Sequence, residues 1–121
     1  MNVFDASALL TFLQGEGGAA PVEKALQDGG ACSAANWSEV AQKIRARRRN
    51  WDLSRSLLDS YGMRVEPVTI ADAESAAGRW VQGQELSLAD RLCLALGERL
   101  NADVWTADHA WGTGGRIRQI R

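Results

Sequence analysis

The sequence is poor in the residues that form thiolate metal sites, disulfide frameworks and membrane spans. Only two cysteines and one histidine occur in 121 residues. Cys32 and Cys93 lie among apolar residues without Cys-x-x-Cys or Cys/His spacing, which predicts buried free thiols rather than a disulfide or a zinc site. No apolar run approaches the roughly 18 residues of a membrane span, and the N-terminus lacks a signal-peptide pattern. We therefore expect a cytoplasmic protein.

Lysine is also scarce, and positive charge is unevenly distributed. The net charge of −1 argues against a protein that coats nucleic acid nonspecifically. Lys24 and Lys43 are the only lysines among fourteen basic residues. Five of the fourteen lie in "KIRARRR", residues 43 to 49, and three more in the C-terminal "RIRQIR". These runs predict local basic patches on a mildly acidic body.

The order of apolar segments predicts alternating strands and helices. A chain of 121 residues with 45% hydrophobic content fits one domain, spanning residues 1–121. Short strands are predicted at 1–4, 31–34, 63–70 and 102–107. Helices are predicted at 6–13, 20–28, 36–49, 52–61, 72–81 and 86–96, with a turn or short helix from 108. Strands separated by helices need crossover connections, which predicts a three-layer α/β/α fold with a mainly parallel central sheet.

Four carboxylates occur at predicted helix starts: Asp5, Glu39, Asp90 and Asp108. Each has a purely structural explanation. Ser87 and Asp90 have the spacing of a capping box, in which the acid accepts a hydrogen bond from the amide of the capping residue. Asn36 and Glu39 have a similar spacing. Asp5 and Asp108 fit N-caps, which contribute about 1 kcal/mol each.

As a set, these acids favour a second interpretation. Asp5 and Asp108 follow strands closely, so they lie at the carboxyl edge of a parallel sheet, where ligands of α/β folds bind. Carboxylates that converge there repel one another, and a divalent cation relieves that repulsion. Oxygen ligands without cysteine or histidine favour Mg²⁺ or Mn²⁺ over zinc.

Four segments in this order, "VFDASALL", "NWSEV", "LSLADRLCLAL" and "VWTADHAW", resemble a PIN domain of the VapC toxin type. The similarity runs over nearly the whole chain. Members of that family are metal-dependent ribonucleases, usually encoded with a VapB-type antitoxin that inhibits them, and they commonly dimerise. The resemblance therefore implies an Mg²⁺- or Mn²⁺-dependent endoribonuclease, the toxin of a type II toxin-antitoxin pair, with RNA as substrate, a VapB-like antitoxin as partner and a homodimer as its assembly.

The same resemblance implies roles for individual side chains. Asp5 and Asp90 correspond to the main metal ligands. Glu39 and Asp108 complete the acidic set, with Asp108 acting through water or a second metal. Two hydroxyls correspond to supporting positions, Ser7 and Thr106.

The chain departs from the family pattern at two positions. Trp105 stands where a small aliphatic residue is more usual, and His109 stands where a basic residue is usual. A surface imidazole or a neighbour of the cap is a stronger expectation for His109 than a general acid.

Arginines near the acids are candidates for RNA binding. Arg45, Arg48 and Arg49 have the i, i+3, i+4 spacing that places side chains along one side of a helix. A solvated helix face is the competing explanation. Arg91, beside Asp90, could contact substrate or balance the carboxylate. Trp51, directly after the arginine run, is a candidate for contact with RNA or the antitoxin.

Other protein classes with acids at a sheet edge are alternatives to the ribonuclease. A receiver domain would need a lysine after a late strand, whereas both lysines lie in early helices. A haloacid-dehalogenase-like phosphatase would need Asp-x-Asp after the first strand, where this chain has Asp5-Ala6-Ser7. A PIN-like binding module without activity and a nuclease acting on DNA remain as alternatives, because the RNA preference comes from the resemblance alone.

Overall fold

The structure, a computed structural model, describes all 121 residues. Five strands are present: β1 Asn2–Phe4, β2 Gly30–Ser33, β3 Arg64–Glu66, β4 Asp103–Thr106 and β5 Ile117–Gln119. Six α-helices connect them: α1 Ala6–Gln14, α2 Ala19–Gln27, α3 Ala34–Ala46, α4 Trp51–Ser60, α5 Ile70–Gly78 and α6 Leu88–Arg99. A single 3₁₀ turn spans His109–Trp111.

The strands form one sheet in the order β3-β2-β1-β4-β5, and every neighbouring pair is parallel. The first four strands lie where the sequence predicted them. The fifth was not predicted, because it has only three residues and no α-helix separates it from β4. Instead, the 3₁₀ turn and a glycine-rich loop return the chain to pair Ile117 with Val104.

Helices cover both faces of the sheet, as predicted. Val3 and Phe4 are consecutive residues of β1, so their side chains point to opposite faces. Phe4 packs in a core cluster with residues of α1 to α4, whereas Val3 packs with residues of α6. Both side chains are completely buried. The three-layer α/β/α architecture and its parallel sheet are therefore confirmed.

Several helix boundaries differ from the prediction by two or three residues, and local capping explains the earlier starts of α3 and α5. Helix α3 begins at Ala34, two residues early, because Ser33 caps it. It ends at Ala46 rather than Arg49. Helix α5 begins at Ile70 rather than Asp72, since Thr69 is its N-cap and Asp72 is the third residue of a capping box.

Predictions for the cysteines are confirmed, and that for Trp51 is wrong. Cys32 and Cys93 are both free and completely buried. Trp51 is only 9% exposed and packs edge-on against Trp37, with ring centroids 4.9 Å apart. An exposed platform for RNA or a partner is therefore not available there. No helix combines the length and apolar character that crossing a membrane requires.

Candidate acidic site

Asp5 lies at the centre of the candidate site, directly after β1 and at the N-cap of α1. It is 3% exposed. Its Oδ1 accepts hydrogen bonds from the Ala8 amide (2.8 Å) and the Ser7 hydroxyl (2.7 Å), and its Oδ2 accepts one from Thr106 Oγ1 (2.6 Å). Burial raises the pKa of Asp5 to about 6 although these hydrogen bonds oppose the rise, and the charge of Asp90 adds to it. A buried carboxyl with hydroxyl partners and no cation is poised for an incoming positive charge.

Both predicted supporting hydroxyls contact Asp5. Thr106 ends the neighbouring strand β4, is completely buried, and also accepts a hydrogen bond from the Asp108 amide at 3.0 Å. Ser7 Oγ accepts a hydrogen bond from the Ala107 amide at 2.9 Å. The two hydroxyls therefore tie the start of α1 to the end of β4, and the ends of these two adjacent strands hold the acid in place.

Asp90 is the third residue of a capping box at the start of α6, as the sequence predicted. Its amide donates to Ser87 Oγ (3.1 Å), and its Oδ2 accepts from the Ser87 amide (3.0 Å). Its Oδ1 accepts no hydrogen bond, and no arginine or lysine pairs with it. Capping occupies one oxygen of this half-buried carboxylate and leaves the other free.

Glu39 does not begin a helix, so the capping explanation for it is wrong. Because Ser33 caps α3, Glu39 lies in the second turn of that helix. Asn36, taken from the sequence as a cap, is a buried residue one turn earlier whose Nδ2 lies 3.4 Å from Glu39 Oε1. Asn36 Oδ1 has no hydrogen-bond partner. The contact between Asn36 and Glu39 was not predicted, although their i, i+3 spacing on one helix indicates it.

The charges of three of the four acids act on the same buried thiol, that of Cys93. Burial raises the pKa of the Cys93 thiol well above its ordinary value, and the charges of Asp5, Asp90 and Glu39 raise it further. These acids follow β1 or lie near the starts of α3 and α6, all at the carboxyl edge of the sheet. The structure thus brings Asp5, Glu39 and Asp90 into one electrostatic neighbourhood.

Asp108 occupies a more open position than the other acids. It is exposed, and its Oδ1 caps the 3₁₀ turn by accepting a hydrogen bond from the Ala110 amide at 2.9 Å. Its carbonyl accepts from Gln119 Nε2 of β5 at 3.0 Å. Asp108 is joined to Asp5 through Thr106 rather than by direct contact. His109 is exposed, and its Nε2 is bonded to the Arg121 carbonyl at 3.0 Å.

The geometry predicted for the RNA-binding arginines is wrong in part. Arg45, Arg48 and Arg49 are exposed, but α3 ends at Ala46, so the last two lie outside the helix. Arg48 adopts a left-handed backbone conformation with φ of 55°. Arg91 points back to α5 and donates from Nη1 to the Ala76 carbonyl at 2.8 Å. The three exposed arginines therefore do not form one helical stripe.

The donor set at the acids fits a hard divalent cation. Nearly every free donor there is a carboxylate or amide oxygen, and the unpartnered Asn36 Oδ1 is a buried acceptor that lacks a donor. No three acidic, histidine or cysteine side chains are clustered closely enough to hold a metal ion as they stand. Half-buried Asp90 and exposed Asp108 are the members with room to adjust.

Comparison with known proteins agrees with the fold. A family model described as PIN domain matches residues 3–112. A chain of a toxin-antitoxin complex from Klebsiella pneumoniae is 18% identical with a TM-score of 0.80, over 100% of this chain and 98% of that one. Mycobacterium tuberculosis VapC20, described as a sarcin-ricin loop cleaving toxin, is 17% identical with a TM-score of 0.74, over 98% and 99% of the two chains. No curated protein matches the sequence significantly.

Proposed function

The chain belongs to the PIN domain family, and from this premise we propose that it is a metal-dependent endoribonuclease and the toxin of a type II toxin-antitoxin pair. It acts in the cytoplasm as a single nuclease domain formed by residues 1–121. The observation that carries the proposal is the buried Asp5 at the carboxyl edge of the sheet, held by Ser7 and Thr106 and without a cationic partner. Similarity to VapC20, described as a sarcin-ricin loop cleaving toxin, supports the choice of RNA over DNA.

We assign Asp5, Asp90 and Asp108 as the residues that hold Mg²⁺ or Mn²⁺, and Glu39 as the fourth catalytic acid. When held by these acids, a divalent cation would supply Lewis-acid stabilisation of the phosphate charge and would lower the pKa of a water. Asp5 is kept in position by Ser7 and Thr106, so its carboxylate needs little reorganisation on binding.

Protein groups perform the remaining tasks in this mechanism. Glu39, fixed on α3 and near Asn36, orients the attacking water and accepts its proton. The Ser87 cap fixes the start of α6 and holds one oxygen of Asp90, which leaves Oδ1 free of hydrogen bonds.

A VapB-like antitoxin is the proposed partner, supported by the toxin-antitoxin complex among the similar structures. Several large apolar side chains remain exposed in the structure and offer surface for the antitoxin or for a homodimer: Leu53, Ile70, Trp80, Val81 and Leu88. Homodimerisation is proposed on the same grounds.

A PIN-like module without activity is the second candidate. No three potential ligands are clustered for a metal in the structure, which favours this alternative. Thermal denaturation with Mg²⁺, Mn²⁺ or chelator separates the two cases. A nuclease site should be stabilised by millimolar divalent cation, and Asp90→Asn should weaken that stabilisation. A chain with no metal site should melt at the same temperature in every condition.

The decisive experiment incubates the purified protein with total cellular RNA and with an isolated sarcin-ricin loop RNA, in Mg²⁺ or Mn²⁺ and in chelator. New RNA ends are mapped by sequencing, and a single-stranded DNA of matched sequence tests the sugar preference. We expect metal-dependent ends that are absent in chelator and with Asp90→Asn. Identical end profiles in every lane would exclude the nuclease.

A further inference from the structure

A basic cavity lies beside the acidic site. It has a volume of about 200 Å³, and its walls include Ser7, Thr11, Lys43, Arg47 and Arg121. These residues come from α1, from the end of α3 and from the segment after β5. Lys43 and Arg47 belong to one basic run of the sequence, whereas Arg121 is 74 and 78 positions further along the chain, so no local pattern predicted that the three share a cavity.

The cavity walls carry more positive than negative charge. Lys43, Arg47 and Arg121 form no salt bridge in the structure, and Glu16 is the one acid in the walls. Arg121 is held in place because its Nη1 donates to Thr11 Oγ1 (3.3 Å) and to the Gly17 carbonyl (2.9 Å). One fixed guanidinium and two exposed cations on its rim suit an anion that arrives from solvent.

Ser7 joins the cavity to the acidic site. Its side chain lines the cavity, while its hydroxyl lies 2.7 Å from Asp5 Oδ1 and accepts from the Ala107 amide. Ala107 also lines the cavity, one residue after Thr106. The cavity therefore adjoins residues that hold Asp5 in place.

We propose that this basic cavity binds a backbone phosphate of the single-stranded RNA adjacent to the phosphate that is cleaved. The proposal rests on the proposed ribonuclease function and deepens it, since it assigns how an acidic site holds a polyanion. Lys43 and Arg47 supply the charge that offsets the repulsion between the acids and the strand, and Arg121 fixes the phosphate position.

This assignment differs from the arginine stripe expected from the sequence. Lys43 and Arg47 are separated by one helical turn and flank the cavity, whereas Arg45 and Arg49 of the same basic run do not line it. The two pairs carry the same charge and are both exposed. They therefore provide a matched test of position against net charge.

Binding of a fluorescein-labelled single-stranded RNA of mixed sequence is measured by polarisation in chelator, over a range of KCl concentrations. Lys43→Ala with Arg47→Ala should weaken binding by about tenfold and reduce the slope of log affinity against log salt by roughly 0.7 per charge. Arg45→Ala with Arg49→Ala should have a smaller effect on affinity. Arg55→Ala, a surface arginine whose only partner is Asp52 at 3.7 Å, is the control for an unrelated cation and should bind as the wild type does.

In metal, the Lys43/Arg47 double variant should show a raised KM for RNA cleavage with kcat changed less, and Lys43→Arg with Arg47→Lys should restore binding. Equal weakening by the two double variants would overturn the cavity assignment in favour of a diffuse charge effect. Unchanged RNA binding by the Lys43/Arg47 variant would also overturn the cavity assignment. If that variant bound RNA normally but lost binding to the antitoxin, the cavity would be assigned to a protein partner instead. Absence of RNA cleavage by the wild type would instead overturn the proposed function.

Discussion

Helices α5 and α6 begin with the same capping box but differ in what surrounds the acid. Thr69 and Asp72 cap α5, and Ser87 and Asp90 cap α6, with both reciprocal hydrogen bonds present in each. Asp72 is also bound by Arg99, whose Nε lies 2.9 Å from Asp72 Oδ1. Asp90 has no cationic partner and lies near Asp5. One local motif therefore serves a structural ion pair in α5 and a candidate metal ligand in α6.

Asp5 and Asp72 extend the comparison to buried acids. They are 3% and 4% exposed, yet their pKa values move in opposite directions. Burial raises the pKa of both. For Asp5 it outweighs the hydroxyl and amide donors. For Asp72, hydrogen bonds from Arg99 and Thr69 and the charge of Arg99 outweigh it, so its pKa falls below the ordinary value. The charged partner of Asp72 and the stronger desolvation of Asp5 together separate the structural acid from the site acid here.

The largest expected effect is on cleavage. Asp90→Asn should reduce RNA cleavage by at least about a hundredfold, because the amide cannot replace a carboxylate at the metal. It should change stability by less than about 0.5 kcal/mol, since an amide oxygen can still accept from the Ser87 amide. Asp72→Asn is the matched variant and should leave cleavage intact. Equal loss of cleavage in Asp90→Asn and Asp72→Asn would show that the two capping-box acids do not differ in function.

Asp5→Asn should stabilise the metal-free protein at neutral pH. The pKa of Asp5 is about 6 against an ordinary 3.8, so the folded state binds more protons than the unfolded state between these values. Its contribution to stability is therefore present below about pH 4 and lost as pH rises through about 6. The variant should be more stable by about 1 to 3 kcal/mol at neutral pH and should lose this advantage near pH 4.

Urea denaturation in chelator at several pH values measures this difference. Thr106→Val is a useful companion, because it removes the hydroxyl that donates to Asp5 Oδ2 and should destabilise the protein instead. If Asp5→Asn is less stable than the wild type at neutral pH, the hydrogen bonds to the ionised Asp5 carboxylate outweigh the cost of its burial, and this prediction is wrong.

Asp72→Asn should act in the opposite direction. Losing the Arg99 pair should cost about 1 to 2 kcal/mol at neutral pH, a moderate value because the Arg99 side chain is 32% exposed. Since the pKa of Asp72 is lowered in the folded state, its stabilisation is present above about pH 5 and is lost as pH falls through the folded-state value. Wild type and variant should therefore converge in acid. In a cycle with Arg99→Gln, the second substitution should add little loss.

The smallest effects are expected at the capping hydroxyls. Thr69→Ala and Ser87→Ala should each cost about 1 kcal/mol in unfolding free energy. Only Ser87→Ala should also lower cleavage, and by less than Asp90→Asn does, because the hydroxyl helps to fix the helix start that aims Asp90. Thermal melts and cleavage rates measure both quantities. If Thr69→Ala lowered cleavage as much as Ser87→Ala does, the loss would reflect lower stability of the whole protein rather than the position of Asp90.

Local sequence patterns predicted most of the fold. The first four strands and the six helices lie close to their predicted positions because apolar periodicity and caps act over a few residues. The fifth strand was missed because a three-residue strand that follows a glycine loop has almost no local pattern. Helix α3 begins two residues earlier than predicted because Ser33, and not Asn36, is its N-cap. That shift moved Glu39 into the second turn and left Arg48 and Arg49 outside the helix.

The sequence by itself determined the α/β architecture, the Ser87 and Asp90 capping box, and the identity of the acids, since these follow from spacing along the chain. Only the tertiary structure decided which acids lack a cation, because Arg99 reaches Asp72 from 27 positions away. It also brought Lys43, Arg47 and Arg121 to one cavity. Charge partners and cavities depend on how strands order themselves in the sheet, and that order is fixed by long-range packing rather than by local sequence.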